Sequence, residues 1–453
     1  MKWLKGHRPM RLSLLLLVVA ALLAPAAPSE AQVLYGSLVG SVADSTKAPV
    51  PGATVTIIHK GTNLAREATT RSDGSYNFPN VQPGTYTIRV VLAGFKETVR
   101  ENVPISANAV ARVDLGLEVG QLSEAITVES AHALLQTDTA SVNAELKSKE
   151  ITTLPLGNYR NYQTLLNLVP GTTPAAFQNA ITDTPARSLT TNVNGTARNS
   201  NNTKLDGAVT VFVWLPHHAV YVAPAETVDT VNVSTSNFDA EQGMAGGAAV
   251  TVLTKSGTNE FHGTGSWLHE DDSLRARNWA NPGEKPQTSR NIGSATLGGP
   301  IIKNKLFFFA AWEGQYNKDP STKTGTLPTA AMRNGDFSSF GTTIYDPATG
   351  NADGSGRTPF PNNVIPASRI DPIAQQLQAR LPQPNGPGTD SNYTDTGIVD
   401  FTRNNFDAKV NFNVTNSGLI WLYFAQMRPE LVTLKLTFAS KLLRVKSTIP
   451  VSV

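Results

Sequence analysis

Asn405–Val414 reads N-F-D-A-K-V-N-F-N-V, with apolar and polar residues in strict alternation. Successive side chains of a β-strand point to opposite faces, so this stretch predicts a strand with one apolar and one polar face. Its length of about 10 residues is that of a strand that crosses a membrane in a β-barrel. A strand of a soluble β-sandwich alternates in the same way, so this stretch alone leaves both interpretations open.

A second segment repeats the pattern further towards the N-terminus. Its apolar face would carry Leu306, Phe308, Ala310, Trp312 and Tyr316. Trp and Tyr are enriched where barrel strands meet the membrane surface, which suits the positions of Trp312 and Tyr316. The intervening residues, Lys318–Arg403, are rich in Pro, Gly, Asn, Asp and Thr and show no sustained periodicity, so we expect a long surface loop.

The composition excludes several classes of protein. Of the 453 residues, 40% are apolar and only 16% are charged, and there are 35 Gly and 29 Pro residues. These proportions disfavour a helical bundle, a coiled coil or a highly charged disordered chain. The absence of Cys excludes disulfides, thiolate metal sites and a Cys nucleophile.

Residues 1–31 have the pattern of a cleaved export signal. A basic start is followed by an apolar run from Leu12 to Ala24, which is shorter than the roughly 20 residues of a spanning helix, and then by Ser29-Glu30-Ala31. A membrane anchor is the alternative. Removing this segment takes away four basic residues and one acidic residue and leaves a net charge of zero. Nothing therefore indicates a nucleic-acid partner.

Residues 33–118 predict a small antiparallel β-sandwich. Short β-branched runs alternate with turns such as Ser72-Asp73-Gly74-Ser75 and Pro83-Gly84. The strings Gly40–Asp44, Pro51–Val55 and Asp73–Phe78 resemble the carboxypeptidase regulatory-like domain, a transthyretin-like sandwich of a carbohydrate-binding-like fold group. The resemblance implies an interaction domain without catalysis, and we interpret Asp73 and Gly74 as a hairpin turn.

Residues 121–259 mix short helical and strand patterns, which indicates a small α+β domain. Eight short strings follow one another in order: Leu154–Asn161, Leu168–Gly171, Val193–Gly195, Leu205–Gly207, Ser236–Glu241, Gly246–Ala248, Thr254–Asn259 and Phe261–Gly263. Together they resemble the plug domain of TonB-dependent receptors of the outer membrane, in the Oar-like group. The plug motif is Leu205, Asp206 and Gly207. Thr203 and Lys204 stand before it, where the family usually has apolar residues.

The resemblance also implies a coupling segment. Glu124, Ala125, Ile126, Thr127, Val128 and Glu129 resemble a TonB box, the segment that pairs with the energy transducer of the inner membrane. An extended peptide of this kind can add a strand to an exposed sheet edge. The alternative is an ordinary linker strand that ends the sandwich.

The expected architecture is therefore mainly β: a sandwich, an α+β plug and, over residues 261–453, the start of an outer-membrane β-barrel. After a plug-like domain, the barrel interpretation of the alternating strands is favoured over a soluble sandwich. These residues are too few for a 22-stranded barrel, so we expect the chain to be an N-terminal fragment, or the product of a reading-frame change near Ser417.

The resemblance implies uptake of a bulky solute, such as a ferric chelate, a glycan or a peptide, by a protein embedded in outer-membrane lipid. The alternative is a surface adhesion or structural protein of the same group; a secreted peptidase is a weaker third. No motif indicates a catalytic residue, a metal site or a cofactor, so we expect a protein that is not an enzyme.

Overall fold

The structure is a computed structural model that describes most of the chain: residues 35–120, 125–129, 141–154, 156, 160–174, 191–212, 214, 216, 218–238, 242–243, 245–276, 285, 287–413, 419–438 and 441–448. For residues 125–129, 321, 396, 419–421, 426–438 and 441–448 it describes the backbone alone. The predicted export signal and Glu124 lie outside the described residues. Among the helices that are described, none is long and apolar enough to cross a membrane.

The first structural unit is a sandwich of two sheets. One sheet has the order β4-β1-β7, with β8 also paired to β1, and the other has the order β3-β2-β5-β6-β9. The strands are β1 (Gly36–Asp44), β2 (Thr54–His59), β3 (Ala65–Thr69), β4 (Ser75–Val81), β5 (Gly84–Val91), β6 (Glu97–Ile105), β7 (Val110–Arg112), β8 (Leu115–Leu117) and β9 (Ala125–Glu129).

Alternating residues of both sheets fill the core of the sandwich. In β5, for example, Tyr86, Ile88 and Val90 are buried while the residues between them are partly or fully exposed. The expected hairpin turn is confirmed: Gly74 has a left-handed φ of 74°, and the amide of Ser75 donates to the Asp73 carboxylate at 3.0 Å. The described core lies within Leu38–Leu117.

The second unit is a mixed α+β domain built on a sheet of order β10-β15-β16-β13-β14. Two 3₁₀ helices, Tyr162–Leu168 and Arg198–Ser200, pack beside it. Its other elements are β10 (Val142–Lys147), α1 (Ser148–Thr153), β11 (Thr172–Pro174), β12 (Thr191–Val193), β13 (Asn202–Leu205), β14 (Ala208–Val209), β15 (Val228–Ser236) and β16 (Ala249–Thr254).

Strand β16 is buried on both faces, although its sequence alternates only weakly. One face packs into the core of this domain through Val250 and Val252. The other face carries Thr251, which is covered by a loop of the sandwich. Thr203 and Lys204 of β13 are also buried, at 2% and 6% exposure, so the departure from the family pattern does not open the sheet.

The third unit is a single antiparallel sheet in which, among the described strands, each pairs with the next along the chain. The edge strands β17 and β22 do not pair with each other in the described residues, so the barrel is not closed. The strands are β17 (His262–Asp271), β18 (Ser289–Ile302), β19 (Leu306–Gly325), β20 (Tyr393–Asn413), β21 (Leu419–Phe438) and β22 (Lys441–Thr448).

Strand β20 has the two faces that its sequence predicts. Phe406 and Phe412 on the outer face are 41% and 39% exposed, whereas Asn405 and Asp407 on the inner face are 0% and 3% exposed. Its neighbour β19 behaves likewise, because Phe307 and Phe309 point inwards while Phe308 faces outwards. The mainly β architecture of sandwich, plug and incomplete barrel is thus confirmed.

The expected loop Lys318–Arg403 is wrong at both ends. Strands β19 and β20 stay paired from Lys318↔Asp400 to Gly325↔Tyr393, so the loop spans 326–392. The extra paired residues at the ends of β19 and β20 are mainly polar. Backbone hydrogen bonding does not require apolar residues at alternate positions, so these strand ends show no hydrophobic pattern in the sequence. The loop itself is ordered, with α2 (Ala330–Arg333), α3 (Pro372–Ala379) and two short 3₁₀ helices.

Candidate functional site

The motif Leu205-Asp206-Gly207 forms the turn that ends β13. Asp206 and Gly207 have φ values of 44° and 85°, a left-handed conformation that Asp tolerates and Gly adopts without strain. The amide of Asp206 donates to the carbonyl of Val252 at 2.9 Å, which extends the parallel pairing with β16. The turn therefore fixes the Asp206 carboxylate at the end of the plug sheet, where its side chain is fully buried.

A buried ion pair joins this carboxylate to the barrel. The Lys409 ammonium donates to Asp206 Oδ1 at 3.0 Å, and to the carbonyl and the hydroxyl of Thr254 at 3.1 Å each. Thr254 in turn donates its amide to Asp206 Oδ1 at 3.1 Å and its hydroxyl to Asp206 Oδ2. Every donor of the ammonium is thus matched by an oxygen, as a buried charge requires.

A second contact lies two residues away on the same barrel strand. The Asp407 carboxylate accepts hydrogen bonds from the hydroxyl groups of Tyr221 (2.7 Å), Thr227 (3.4 Å) and Tyr423. Tyr221 and Thr227 belong to the plug, and Tyr423 belongs to β21. Burial raises the pKa of Tyr221, and the nearby Asp407 charge raises it further, so Tyr221 is a neutral hydrogen-bond donor at physiological pH.

Further along the inner wall, charged residues of the plug and of the barrel lie close together. Arg403 donates to Glu313 Oε1 at 3.1 Å, and both side chains are buried in the barrel wall. In the plug, Arg160 donates to Glu226 at 3.0 Å, and its positive charge also attracts Glu313. Plug and barrel therefore meet through a polar, charged surface.

The sandwich is docked against the plug sheet through its 106–108 loop. This loop presents Asn108, whose φ of 56° is left-handed, to the face of the plug that is away from the core. The hydrogen bonds are Asn108 Nδ2 to Thr251 Oγ1 (2.8 Å), Asn232 Nδ2 to the Ala107 carbonyl (2.6 Å) and Ser106 Oγ to Glu145 Oε1 (2.9 Å).

A second set of contacts holds the sandwich against one end of the barrel. Asn63 donates to the Asn304 side chain at 3.3 Å, in the turn between β18 and β19. Asn259, just before the first barrel strand, donates its amide to the Gly61 carbonyl at 2.9 Å and its side chain to Asn304 at 2.7 Å. The sandwich therefore covers the end of the barrel that is opposite the 326–392 loop.

A cavity of about 480 Å³ lies where sandwich, plug and barrel meet. Burial lowers the pKa of Lys255, against the opposing charges of Glu226 and Asp229. Burial also lowers the pKa of His59, whose Nδ1 accepts the amides of Gly61 and Thr62 at 3.1 Å each. Within the described part of the chain, no three His, Asp or Glu side chains gather as metal ligands would.

In the segment that resembles a TonB box, the described residues Ala125–Glu129 form strand β9. Its backbone runs parallel to β6 over five pairs, from Glu97↔Ala125 to Glu101↔Glu129. It is the outermost strand of its sheet, so one of its edges faces away from the sandwich. The described part of the coupling segment thus lies in a sheet of the sandwich, whereas the plug motif ends a strand of the plug sheet.

Sequence reasoning placed Asp407 and Lys409 on the polar face of β20, which is confirmed by their burial against the plug. It did not identify their partners Tyr221, Thr227 and Thr254. A charged residue on the inner face of a barrel strand needs an opposite charge or a hydrogen-bonding partner. This requirement predicts that Asp407 and Lys409 have polar partners, but it does not say which residues they are.

Comparisons with known proteins agree with this architecture. Residues 37–118 match the family model of the carboxypeptidase regulatory-like domain, and residues 253–444 match that of an outer membrane beta barrel domain. The two matches lie on either side of the plug-like unit, and the barrel match supports an outer-membrane location.

The TonB-dependent transporter Oar of Myxococcus xanthus is a relative to which this chain is homologous. The two are 27% identical over 320 residues, which is 65% of this chain and 29% of the relative. This chain therefore spans less than a third of that curated relative.

Solved structures show weaker likeness. The siderophore receptor PirA of Acinetobacter baumannii aligns with 65% of this chain and 44% of its own at 14% identity and a TM-score of 0.29. The Bacillus anthracis TIE protein aligns with 19% of this chain and 16% of its own at 21% identity and a TM-score of 0.17.

Proposed function

We propose that this protein acts as an outer-membrane TonB-dependent transporter that takes up a bulky solute, such as a ferric chelate, a glycan or a peptide. The observation that carries the proposal is the buried Asp206–Lys409 pair, which ties a plug turn to the inner face of a barrel strand. A globular domain held inside a polar barrel wall by such contacts blocks the lumen at rest. Homology to Oar supports the same role.

The contacts are suited to reversible opening. Buried ion pairs fix geometry more than they add net stability, because desolvation offsets most of their attraction. When the plug moves, the side chains of Asp206, Lys409 and Asp407 would exchange their present hydrogen-bond partners for water. Water can hydrate the polar wall that is uncovered. An apolar interface would instead expose hydrocarbon to water at every opening.

The outer membrane has no ATP supply or sustained potential, so the energy has to come from the inner membrane, where moving one charge through 100 mV yields roughly 2.3 kcal/mol. We infer that the TonB-type transducer binds Glu124–Glu129 and pulls on this segment. Residues 130–141 then lead to β10, the edge strand of the plug sheet. Because an edge strand has a single neighbour, tension at Val142 would peel β10 from β15 without tearing the sheet centre.

The test is deletion of 124–130 in the full-length protein, in cells that make it as their only candidate receptor. Accumulation of labelled ferric chelates, oligosaccharides and peptides is measured with and without an uncoupler. The wild type should accumulate at least one probe in an energy-dependent manner, and the deletion should abolish accumulation while cell-surface binding persists. Undiminished accumulation by the deletion variant would rule out the coupling role of this segment.

A surface adhesion or structural role is the second candidate. The ordered loop 326–392 favours it, since Ile373 and Leu377 of α3 are 68% and 58% exposed and could contact a partner. Adhesion that persists after the proton gradient is removed, with no energy-dependent accumulation of any probe, would favour this role over transport. Under either proposal the protein has no catalytic function.

A further inference from the structure

The coupling segment is held in place by the sandwich. Strand β9 lies at the edge of its sheet and, among the described strands, pairs with β6 alone. Its removal would leave the other pairings of the sheet, β3-β2-β5-β6, unchanged. The segment is therefore placed as a strand that can leave its sheet while the rest of the sandwich remains folded.

The sandwich itself cannot follow the segment freely, because it is fixed at two places. Asn108 and Ser106 bond the plug sheet, and Asn63 bonds the Asn304 turn of the barrel. Tension applied to β9 is thus opposed first by its pairing with an anchored β6. It reaches residues 130–141 and β10 only after that pairing is broken.

We propose that β6 is a docking edge for the coupling segment and that the sandwich is a latch in series with the plug, released when the transducer pulls β9 away. This inference rests on the proposed transport function and adds a regulatory step to it. The outer edge of β9 faces away from β6, so an extended strand of the transducer can pair there while the latch is closed. Binding of the transducer and release of the plug are then separate events.

The register supplies the test. Val99 pairs with Thr127 across the two strands, and the chain has no Cys that could form competing disulfides. The variant Val99→Cys/Thr127→Cys is made in the full-length protein, and the disulfide yield in intact cells is measured by mass spectrometry after brief oxidation. The matched control is Thr56→Cys/Glu67→Cys, a registered pair of β2 and β3 in the same sheet.

The latch predicts a high yield for the 99–127 pair in cells treated with an uncoupler and a several-fold lower yield in energised cells. The control pair should give the same yield in both. Equal yields of the 99–127 disulfide in the two conditions, or no 99–127 disulfide in cells where the control forms, would overturn the latch.

A second measurement uses the same variants. Full oxidation of the 99–127 pair should abolish the energy-dependent accumulation that the same variant shows when it is kept reduced, whereas oxidation of the control should leave its accumulation at the level of its own reduced form. Accumulation by the fully oxidised 99–127 variant would also overturn the latch. If the wild type accumulates no probe, it is the transport proposal that fails, and the disulfide yields still decide whether the strand detaches.

Discussion

At the scale of single residues, the plug is positioned by charges that are matched atom by atom. Lys409 places its ammonium among three oxygens of Asp206 and Thr254. Asp407 is surrounded by three hydroxyl donors from two units. Each group is costly to bury alone and acceptable with its partner, so the contacts specify one seating of the plug.

The first prediction concerns this ion pair. Asp206→Asn leaves Lys409 buried without a counter-charge, and removal of one partner of a buried pair costs about 3–5 kcal/mol. We expect a loosened plug, seen as increased entry of a large antibiotic that the outer membrane normally excludes. The double variant Asp206→Asn/Lys409→Met removes both charges and should be closer to the wild type. Equal leakiness of the two variants would contradict this account.

The second prediction concerns His59 and pH. Burial lowers the pKa of His59 in the folded state, so the unfolded chain takes up a proton more readily. Stability of the sandwich should therefore be constant above the ordinary His pKa of about 6.5 and fall as the pH drops below it. Hydrogen exchange of the β2 amides in the full protein, from pH 8 to pH 5, measures this.

The control for this pH effect is His59→Asn. Its side-chain oxygen can accept the amides of Gly61 and Thr62 as Nδ1 does, but it does not titrate. We expect its exchange, once corrected for the intrinsic rate, to lose most of the pH dependence. An unchanged pH dependence would assign the effect to another group.

At the scale of elements, one barrel strand separates two environments. The outer residues of β20, among them Val410, face away from the plug, while the inner residues contact it. Substitutions on the two faces should therefore fail for different reasons.

The third prediction uses Val410. A charged residue on the lipid face of a barrel costs about 2–4 kcal/mol near the bilayer centre. Val410→Arg should lower the yield of folded protein in the outer membrane, measured by heat-modifiable mobility in gels, whereas Val410→Leu should assemble normally. Normal assembly of the Arg variant would place Val410 outside the hydrocarbon.

The sequence predicts those strands whose two faces lie in different environments, because apolar and polar residues then alternate along the chain. Asn405–Val414 and Leu306–Tyr316 alternate in sequence, and over their described residues one face is largely buried while the other is more exposed. The sequence is insufficient for strands whose two faces lie in the same environment, either both polar or both buried. The ribbon from Lys318 to Gly325 is polar throughout and was mistaken for loop, and the buried outer face of β16 depends on a sandwich loop more than 100 residues away.

At the scale of the whole molecule, three units are joined by a few polar contacts. Local sequence could not predict these contacts, since Asn63, Asn108 and Asn232 look like ordinary turn or strand residues until their distant partners are known. Motif order predicted the sequence of units along the chain, but the docking of the sandwich on plug and barrel appears only in three dimensions.

The fourth prediction tests that docking. Asn108→Gly with Asn232→Ala removes two hydrogen bonds, each worth about 0.5–1.5 kcal/mol, and Gly adopts the left-handed φ at position 108 without strain. Neither side chain belongs to the described sandwich core. Protease cleavage between sandwich and plug should become faster while the sandwich itself stays resistant. The control Asn77→Ala, on β4 of the sandwich, should leave cleavage unchanged.

The paired extension of β19 and β20 from Lys318↔Asp400 to Gly325↔Tyr393 has a consequence for how the cell is seen from outside. Ile398 still pairs with Lys435 of β21, so β19 and β20 continue alone for five residue pairs, from Ser321↔Gly397 to Gly325↔Tyr393, which is about 17 Å at 3.4 Å per residue. In the proposed outer-membrane orientation, this two-stranded ribbon would carry the folded 326–392 segment outwards from the sheet. Antibodies and bacteriophages would therefore meet this segment before any other part of the barrel described here.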